Sequence, residues 1–378
     1  MLKRRNFWLE KIEAAWKERP ILWLSGVRRS GKTILCQSLP QTEYFDCELP
    51  RVRQMMEDPE AFLDDLSGQK VILDEIHRLG NPAQLLKIAA DHYPGTKILA
   101  TGSSTLGASK KFRDTLTGRK KELWLTPMIS LDLSDFGRFD LSHRFLYGGL
   151  PPFFLAKQFP EKDFQEWVDS YWAKDIQELF RLERRYSFQK FVELLMAQSG
   201  GIFEATRFSA PCEVSRPTIQ NYLKVLEATF VVHVIRPYSL HRPTEIISAP
   251  KIYGFDTGFV CYYRGWTSLR QEDMGFLWEH YILNELFASR QSRNVFYWRD
   301  KRGHEIDFVL APPGGPPAAI ECKWSAGKFD PGGLAAFRRQ YPAGKNFVVA
   351  QDVKKPFHRR YDKMIVSFVG GVWGQRFL

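Results

Sequence analysis

Residues 26–33 read GVRRSGKT, which is the pattern G-x-x-x-x-G-K-T. The spacing suits phosphate chemistry. Gly26 and Gly31 let the backbone wrap, so that the N–H groups of Val27, Arg28, Arg29, Ser30, Lys32 and Thr33 can converge on phosphate oxygens. The helix that follows, from Lys32 through Ile34, adds the positive end of its dipole. Lys32 can reach the β- and γ-phosphates, and the Thr33 hydroxyl can serve Mg²⁺. A second apolar run, VILDEIHRL, ends in paired acids. At a strand's carboxyl end Asp74 would hold Mg²⁺ and Glu75 would orient the attacking water. Paired acids there can also cap a helix.

Two further positions leave alternatives open. Thr101 or Ser103, in ATGSS, could sense the γ-phosphate or simply stabilise a turn. Arg119, in LTGRKKEL, could reach into a neighbour's nucleotide site, which would imply a homo-oligomer, or lie in a solvated basic loop.

A second set of chemical residues lies near the carboxyl end. HEIDFVLAPPGGPPAAIECKW has two apolar runs around a Pro/Gly turn, with Asp307 in the first and Glu321 and Lys323 in the second. Alternation along a strand puts Glu321 and Lys323 on one face and Cys322 on the other. Two acids and a lysine on one face could hold Mg²⁺ or Mn²⁺ and a water beside it, with Glu279 of the preceding helix as a third carboxylate. The spacing D-x(13)-E-x-K resembles that of the PD-(D/E)xK nucleases, without the leading proline, since Ile306 precedes Asp307. An ordinary surface hairpin with a Glu–Lys pair has the same spacing.

The elements that must position these residues fall into three stretches. The first alternates strands (ILWLSG, KVILD, KILATGSS) with helices over Phe7–Lys17 and Pro82–His92, which predicts a parallel α/β sheet over 1–150. The second, 151–265, is helix-rich. It has a long helix expected over Phe164–Arg185 and another over Ser187–Gln198. A capped helix follows Ser215, with Pro217 in its first turn and Ile219, Tyr222, Leu223 and Leu226 on its buried face. The third, 266–378, opens with the helix FLWEHYILNELFASR and continues with the strands NVFYWR, EIDFVL, AAIECKW and KNFVVA, an α/β pattern.

The chain has 378 residues, 54 Lys plus Arg against 43 Asp plus Glu, and a formal net charge of +11. That length calls for several cores, and the surplus favours polyanion partners. Five cysteines without a CxxC pair argue against a zinc site or a disulfide framework. The amino terminus lacks a signal-peptide core and no run is long enough to span a membrane, so a cytoplasmic protein with no membrane attachment is expected.

Taken in order, SGVRRSGKT, VILDEIHRL, ATGSS, LTGR, YGGLPP, SRPTIQNYLKVLEATFVV, YGFDTG, FLWEHYILNEL, YWRDKRGHEIDFVL and IECKWS resemble a prokaryotic family of AAA+-type ATPases. Its members join an N-terminal P-loop domain to a C-terminal domain of unknown function related to those nucleases. The resemblance implies ATP at Gly26, Gly31, Lys32 and Thr33, a basic loop residue at Arg28, and hydrolysis supported by Asp74 and Glu75. It implies a winged-helix-like middle whose helix Ser215–Ala228 turns Arg216, Gln220, Asn221 and Lys224 outward, towards DNA or simply to solvent. It also implies a restriction-endonuclease-like C-terminal domain with Glu279, Asp307, Glu321 and Lys323 at its site. The function expected is an ATP-hydrolysing motor or switch acting on DNA, with a possible metal-dependent nuclease domain; the alternative is a nucleotide-dependent switch or scaffold whose C-terminal domain binds nucleic acid or protein without cutting.

Overall fold

The computed structural model describes residues 3–102, 110–177, 184–240 and 249–371. Ser103 lies outside them.

The α/β expectation holds. Helix α1 (Asn6–Trp16) leads into strand β1 (Ile21–Ser25), whose five residues are all buried. After the glycine loop comes the short helix α2 (Lys32–Gln37), followed by β2 (Glu43–Asp46), β3 (Lys70–Asp74), α3 (Pro82–His92), β4 (Lys97–Thr101) and β5 (Lys120–Trp124). The five strands form one parallel sheet in the order β2-β3-β4-β1-β5. The glycine loop therefore leaves the carboxyl end of an interior strand. Thr101, at the end of β4, stands between that loop and Asp74 at the end of β3.

Two of the strands were not expected. β2 is half-exposed, and β5 begins with two lysines and a glutamate, so neither shows a buried-strand pattern. Residues 120–124, which follow Arg119, form the sheet edge beside β1.

The middle is helical. The expected continuous helix over Phe164–Arg185 is replaced. An α-helix, α4 (Glu161–Ser170), runs into a π-helical turn, Tyr171–Gln177. The wider turn sets Tyr171, Trp172, Asp175 and Ile176 all against the interior. Residues 178–183 are outside the described set, and Arg185 opens the next helix, α5 (Arg185–Ala197). Helix α6 (Arg216–Ala228) forms as predicted. The Ser215 hydroxyl accepts the Thr218 N–H at its amino end, and Ile219, Tyr222 and Leu226 are buried, with Leu223 half-buried.

The strands after α4 all belong to one mixed sheet. β6 (Gly201–Ile202), β7 (Val232–Pro237) and β8 (Lys251–Gly254) pair antiparallel. β7 then pairs in parallel with β9 (Val295–Arg299), which continues through β10 (Glu305–Leu310), β11 (Ala318–Lys323), β12 (Asn346–Ala350), β14 (Met364–Val369) and β13 (Phe357–Tyr361). This nine-stranded sheet crosses the expected boundary at 265/266. The seam is narrow, with two register pairs, Arg236 with Phe296 and Pro237 with Tyr297. The long helix α7 (Asp273–Arg290) packs on β11 and reaches β7 through Phe287 against His233, and thirteen of its eighteen residues are buried, so both faces of the helix are inside. A single apolar core runs from Val27 of the glycine loop and Trp124 of the first sheet through the middle helices to Val349 and Val369 of the last strands.

Two glycines close the joint between the first sheet and the middle. A Cβ on Gly258 would lie 2.6 Å from Gly148 Cα and N, so the two backbones touch directly. Beside them Asp256 caps its own helix at the Gly258 N–H, while the buried Arg144 donates to the Met128 carbonyl and the Thr257 hydroxyl.

Candidate functional site

The glycine loop has the conformation its residues predict. Gly26 sits at φ +146°, and a Cβ there would come 2.7 Å from the Leu125 carbonyl; Gly31 sits at φ +92°. The Lys32 ammonium lies inside the loop, donating to the Gly26 and Val27 carbonyls at 3.0 and 3.2 Å. Burial lowers its pKa, with Glu75, Asp175 and Asp74 opposing that effect. Thr33 and Ile34 are exposed at the start of α2.

The two strand-end acids occupy different environments. Asp74 is buried; the Thr101 hydroxyl bonds one carboxylate oxygen and the Tyr44 hydroxyl donates to the other at 2.7 Å. Glu75 leaves the strand at φ +55°, a left-handed conformation that a non-glycine residue adopts only at a cost. Its amide donates to the Thr101 hydroxyl at 3.1 Å, and its carboxylate meets His77 at 3.1 Å. Burial works against the Glu75 charge, but His77, Lys32 and Arg28 hold its carboxyl below the ordinary range. Its carboxyl is therefore held in the ionised form at neutral pH.

Sequence reasoning missed the far wall. A cavity of ≈ 710 Å³ opens over the loop, and the middle region lines its other side with Pro151, Trp167, Tyr171, Asp175 and Thr229. The Arg28 guanidinium meets Asp175 at 3.1 Å, and the Trp167 indole N–H donates to the Arg28 carbonyl at 3.0 Å. From the other flank Arg5, nearly fully buried, holds the Ser30 and Thr126 carbonyls at 3.1 Å and the Asp132 carboxylate at 2.6 Å. Local pattern gives no sign of these partners, because each lies 25 or more residues from the group it holds.

Arg119 is not at this site. It precedes β5, level with the start of β1, and pairs with Asp91 at 2.7 and 3.1 Å. Five residues of strand, about 16 Å, separate that end of the sheet from the loop. Within one chain it makes no contact with the phosphate cavity.

In the last domain the structure brings Glu279, Asp307, Glu321 and Lys323 together. One step beyond the register pair Phe308–Ile320, Asp307 stands opposite Glu321. Lys323 donates to Glu321 at 2.8 Å and lies 3.8 Å from Asp307, which also accepts the Cys322 amide at 2.7 Å. Glu279, on α7, accepts the Tyr253 hydroxyl and lies 3.8 Å from Lys251. Lys251, buried and unforeseen from the sequence, also pairs with Glu305. Burial and then the Asp307 charge raise the pKa of both Glu279 and Glu321. Among the described residues no group of three or more His, Cys, Asp or Glu has the arrangement to hold a metal ion. Glu279, Asp307, Glu321 and Lys323, with Lys251 beside them, make a carboxylate–lysine cluster. Two lysines occupy the positions beside the carboxylates.

Three family models match successive parts of the chain. Residues 18–132 match a family model described as an AAA domain. Residues 138–270 and 274–366 match two models described as domains of unknown function, DUF8612 and DUF4143. Uncharacterized proteins of Mycobacterium bovis and Mycobacterium tuberculosis are each 26% identical over 329 residues, covering 84% of this chain and 73% of theirs. Among solved structures, a signal transduction ATPase with numerous domains and a tetratricopeptide repeat sensor from Pyrococcus horikoshii superposes with a TM-score of 0.28 at 9% identity. It covers 74% of this chain, which spans less than half (46%) of that one. The Bacillus subtilis DNA clamp loader delta protein gives 0.25 at 11% identity, covering 58% of this chain and 88% of that one. Among the described residues no helix is long and apolar enough to cross a membrane.

Proposed function

We propose that the protein binds and hydrolyses ATP and acts on DNA as a nucleotide-dependent switch. The observation that carries this is the cavity itself. A G-x-x-x-x-G-K-T loop, Glu75 and a wall supplied by the middle region all face one volume of ≈ 710 Å³, with Asp74 buried next to Glu75 at the end of β3. Lys32 and the loop amides bind the phosphates, and Arg28 adds positive charge. Thr33 and Asp74 are oxygen donors of the kind Mg²⁺ takes; the ion would offset charge on the transferred phosphoryl group. Glu75 orients the water. Arg119, from a neighbouring protomer, would complete the site in a homo-oligomer.

DNA is supported by the +11 charge and by the middle region's element order. Helix α5, β6, the helix Ala205–Ser209, α6, β7 and β8 follow the order of a winged helix. Arg216, Gln220, Asn221 and Lys224 are exposed on α6. ATP turnover with and without duplex DNA, in wild type and Lys32→Ala, tests the reading. Stimulation by DNA that disappears in the variant supports it. Turnover that ignores both DNA and Lys32 overturns it. Binding to DNA phosphates should weaken with salt at a log–log slope of about −0.9 per contact.

A second reading concerns the last domain. Lys323 and Lys251 already compensate its carboxylates, which favours binding of nucleic acid or protein without cleavage. Nicking of supercoiled DNA in Mg²⁺ or Mn²⁺ that is lost in Asp307→Ala would reverse that preference and make the cluster a nuclease site.

A further inference from the structure

The Arg28–Asp175 pair joins the phosphate loop to the middle region at the phosphate end of the cavity. Arg28 is the second residue after Gly26, and both Lys32 and Glu75 lie close enough to feel its charge. Asp175 comes from the π-helical turn, a local geometry that recurs at functional sites. It is largely buried, and it is the middle region's carboxylate among the residues lining the cavity. The pair is therefore an ion pair inside a site built for an anion. A phosphate beside Lys32 would compete with the Asp175 carboxylate for the same guanidinium.

The turn does not end at Asp175. The Tyr171 hydroxyl, one turn earlier, bonds the Thr229 hydroxyl at 2.6 Å. Thr229 is the C-cap of α6 and also bonds the Val225 and Leu226 carbonyls. The opposite end of α6 carries Arg216 and Gln220. The phosphate loop is thus tied by the Arg28–Asp175 pair to the turn Tyr171–Gln177, and that turn is tied by the Tyr171–Thr229 bond to the helix with the outward polar face. No acidic side chain other than Asp175 is paired with Arg28 among the described residues.

We propose that Asp175 is a positioning residue that reads the γ-phosphate: Arg28 is held by Asp175 when the γ-phosphate is absent and by the γ-phosphate when it is present. The exchange frees the turn Tyr171–Gln177 and so loosens the carboxyl end of α6. This rests on the phosphate-site reading above. It makes the middle region respond to triphosphate but not to diphosphate, because only the terminal phosphoryl group displaces the carboxylate.

The test uses the full chain with Mg²⁺ and either ADP or the non-hydrolysable β,γ-imido analogue of ATP. Affinity is measured together with hydrogen exchange of the peptides covering 161–177 and 216–228. In wild type, the analogue but not ADP should speed exchange in both peptides, by about fivefold or more. In Asp175→Asn, exchange should be fast in every state, and the analogue should bind about fivefold tighter while ADP is unchanged. Arg28→Gln breaks the same pair from the other side. It should show the same fast exchange but lose the preference for the analogue, so the proposal stays testable if one variant fails to fold. Exchange in wild type that does not distinguish the two nucleotides, or an unchanged preference in Asp175→Asn, overturns the proposal. Failure of wild type to bind either nucleotide, or binding that survives Lys32→Ala, overturns the phosphate-site reading as well. Binding that needs Lys32 but ignores Asp175 overturns this inference alone.

Discussion

The Asp256 carboxylate accepts the backbone N–H of Gly149 at 2.6 Å across 107 residues of chain. It fixes the segment that leaves the first sheet against the helix that follows β8. Gly148 and Gly258 meet backbone to backbone beside it.

That contact sets the first prediction. Gly258→Ala forces a methyl to 2.6 Å from the Gly148 backbone, which has no flexible end to move aside. The variant should lose about 1–3 kcal/mol or more of stability, read from the denaturant midpoint. A midpoint equal to wild type would show that the joint is slack.

The phosphate site should separate binding from hydrolysis. Lys32→Ala should lose nucleotide affinity, while Glu75→Gln should keep it and lose turnover by about 10²-fold or more. Titration with a fluorescent nucleotide and a phosphate-release assay check the two halves. Equal loss of binding in both variants would place Glu75 among the binding groups instead.

Glu285 supplies a pH prediction. It is buried on α7, accepts the Ser130 N–H at 2.6 Å, and burial raises its pKa to about 7. The folded state therefore favours the protonated carboxyl. Its contribution is complete below the ordinary value of 4.5 and is lost as pH rises through about 7. Glu285→Gln keeps the acceptor and removes the charge. It should match wild type at pH 4.5 and be more stable at pH 8, by on the order of 1–3 kcal/mol. Thermal melts at the two values decide it.

The C-terminal cluster should become alkali-sensitive when its cation is removed. Lys323→Met leaves Glu321 and Asp307 facing each other with less compensation. Burial already raises the Glu321 pKa, and loss of the lysine raises it further, so the variant takes up a proton in acid and pays little there. The penalty should appear as pH rises, reaching about 1–3 kcal/mol. Added Mn²⁺ that restores the midpoint would show the carboxylates can hold a metal once the lysine is gone.

The sequence was legible where chemistry is local. The glycine loop needs its residues adjacent, the helix after Ser215 announces its own cap, and the D-x(13)-E-x-K spacing follows from a hairpin. It was opaque where partners are distant. Arg5 and Asp175 reach the phosphate loop from 25 and 147 residues away. Lys251 reaches Glu305 across 54 residues. β5 hid because an edge strand starting with Lys120 and Lys121 needs no buried face at that end. The π-helical turn hid because Tyr171–Gln177 carries the same residue types as an α-helix; tertiary packing decided between them.

The narrow seam between β7 and β9 bears on how the chain can be divided. A fragment ending at 265 would leave the β7 edge bare and strip α7 from the apolar surface it covers. A fragment starting at 274 would lose Lys251 and Tyr253, and with them the groups that stabilise Glu279. Each piece would carry an open strand edge ready to recruit another copy, so a fragment that keeps the C-terminal cluster supported has to include β7 and β8.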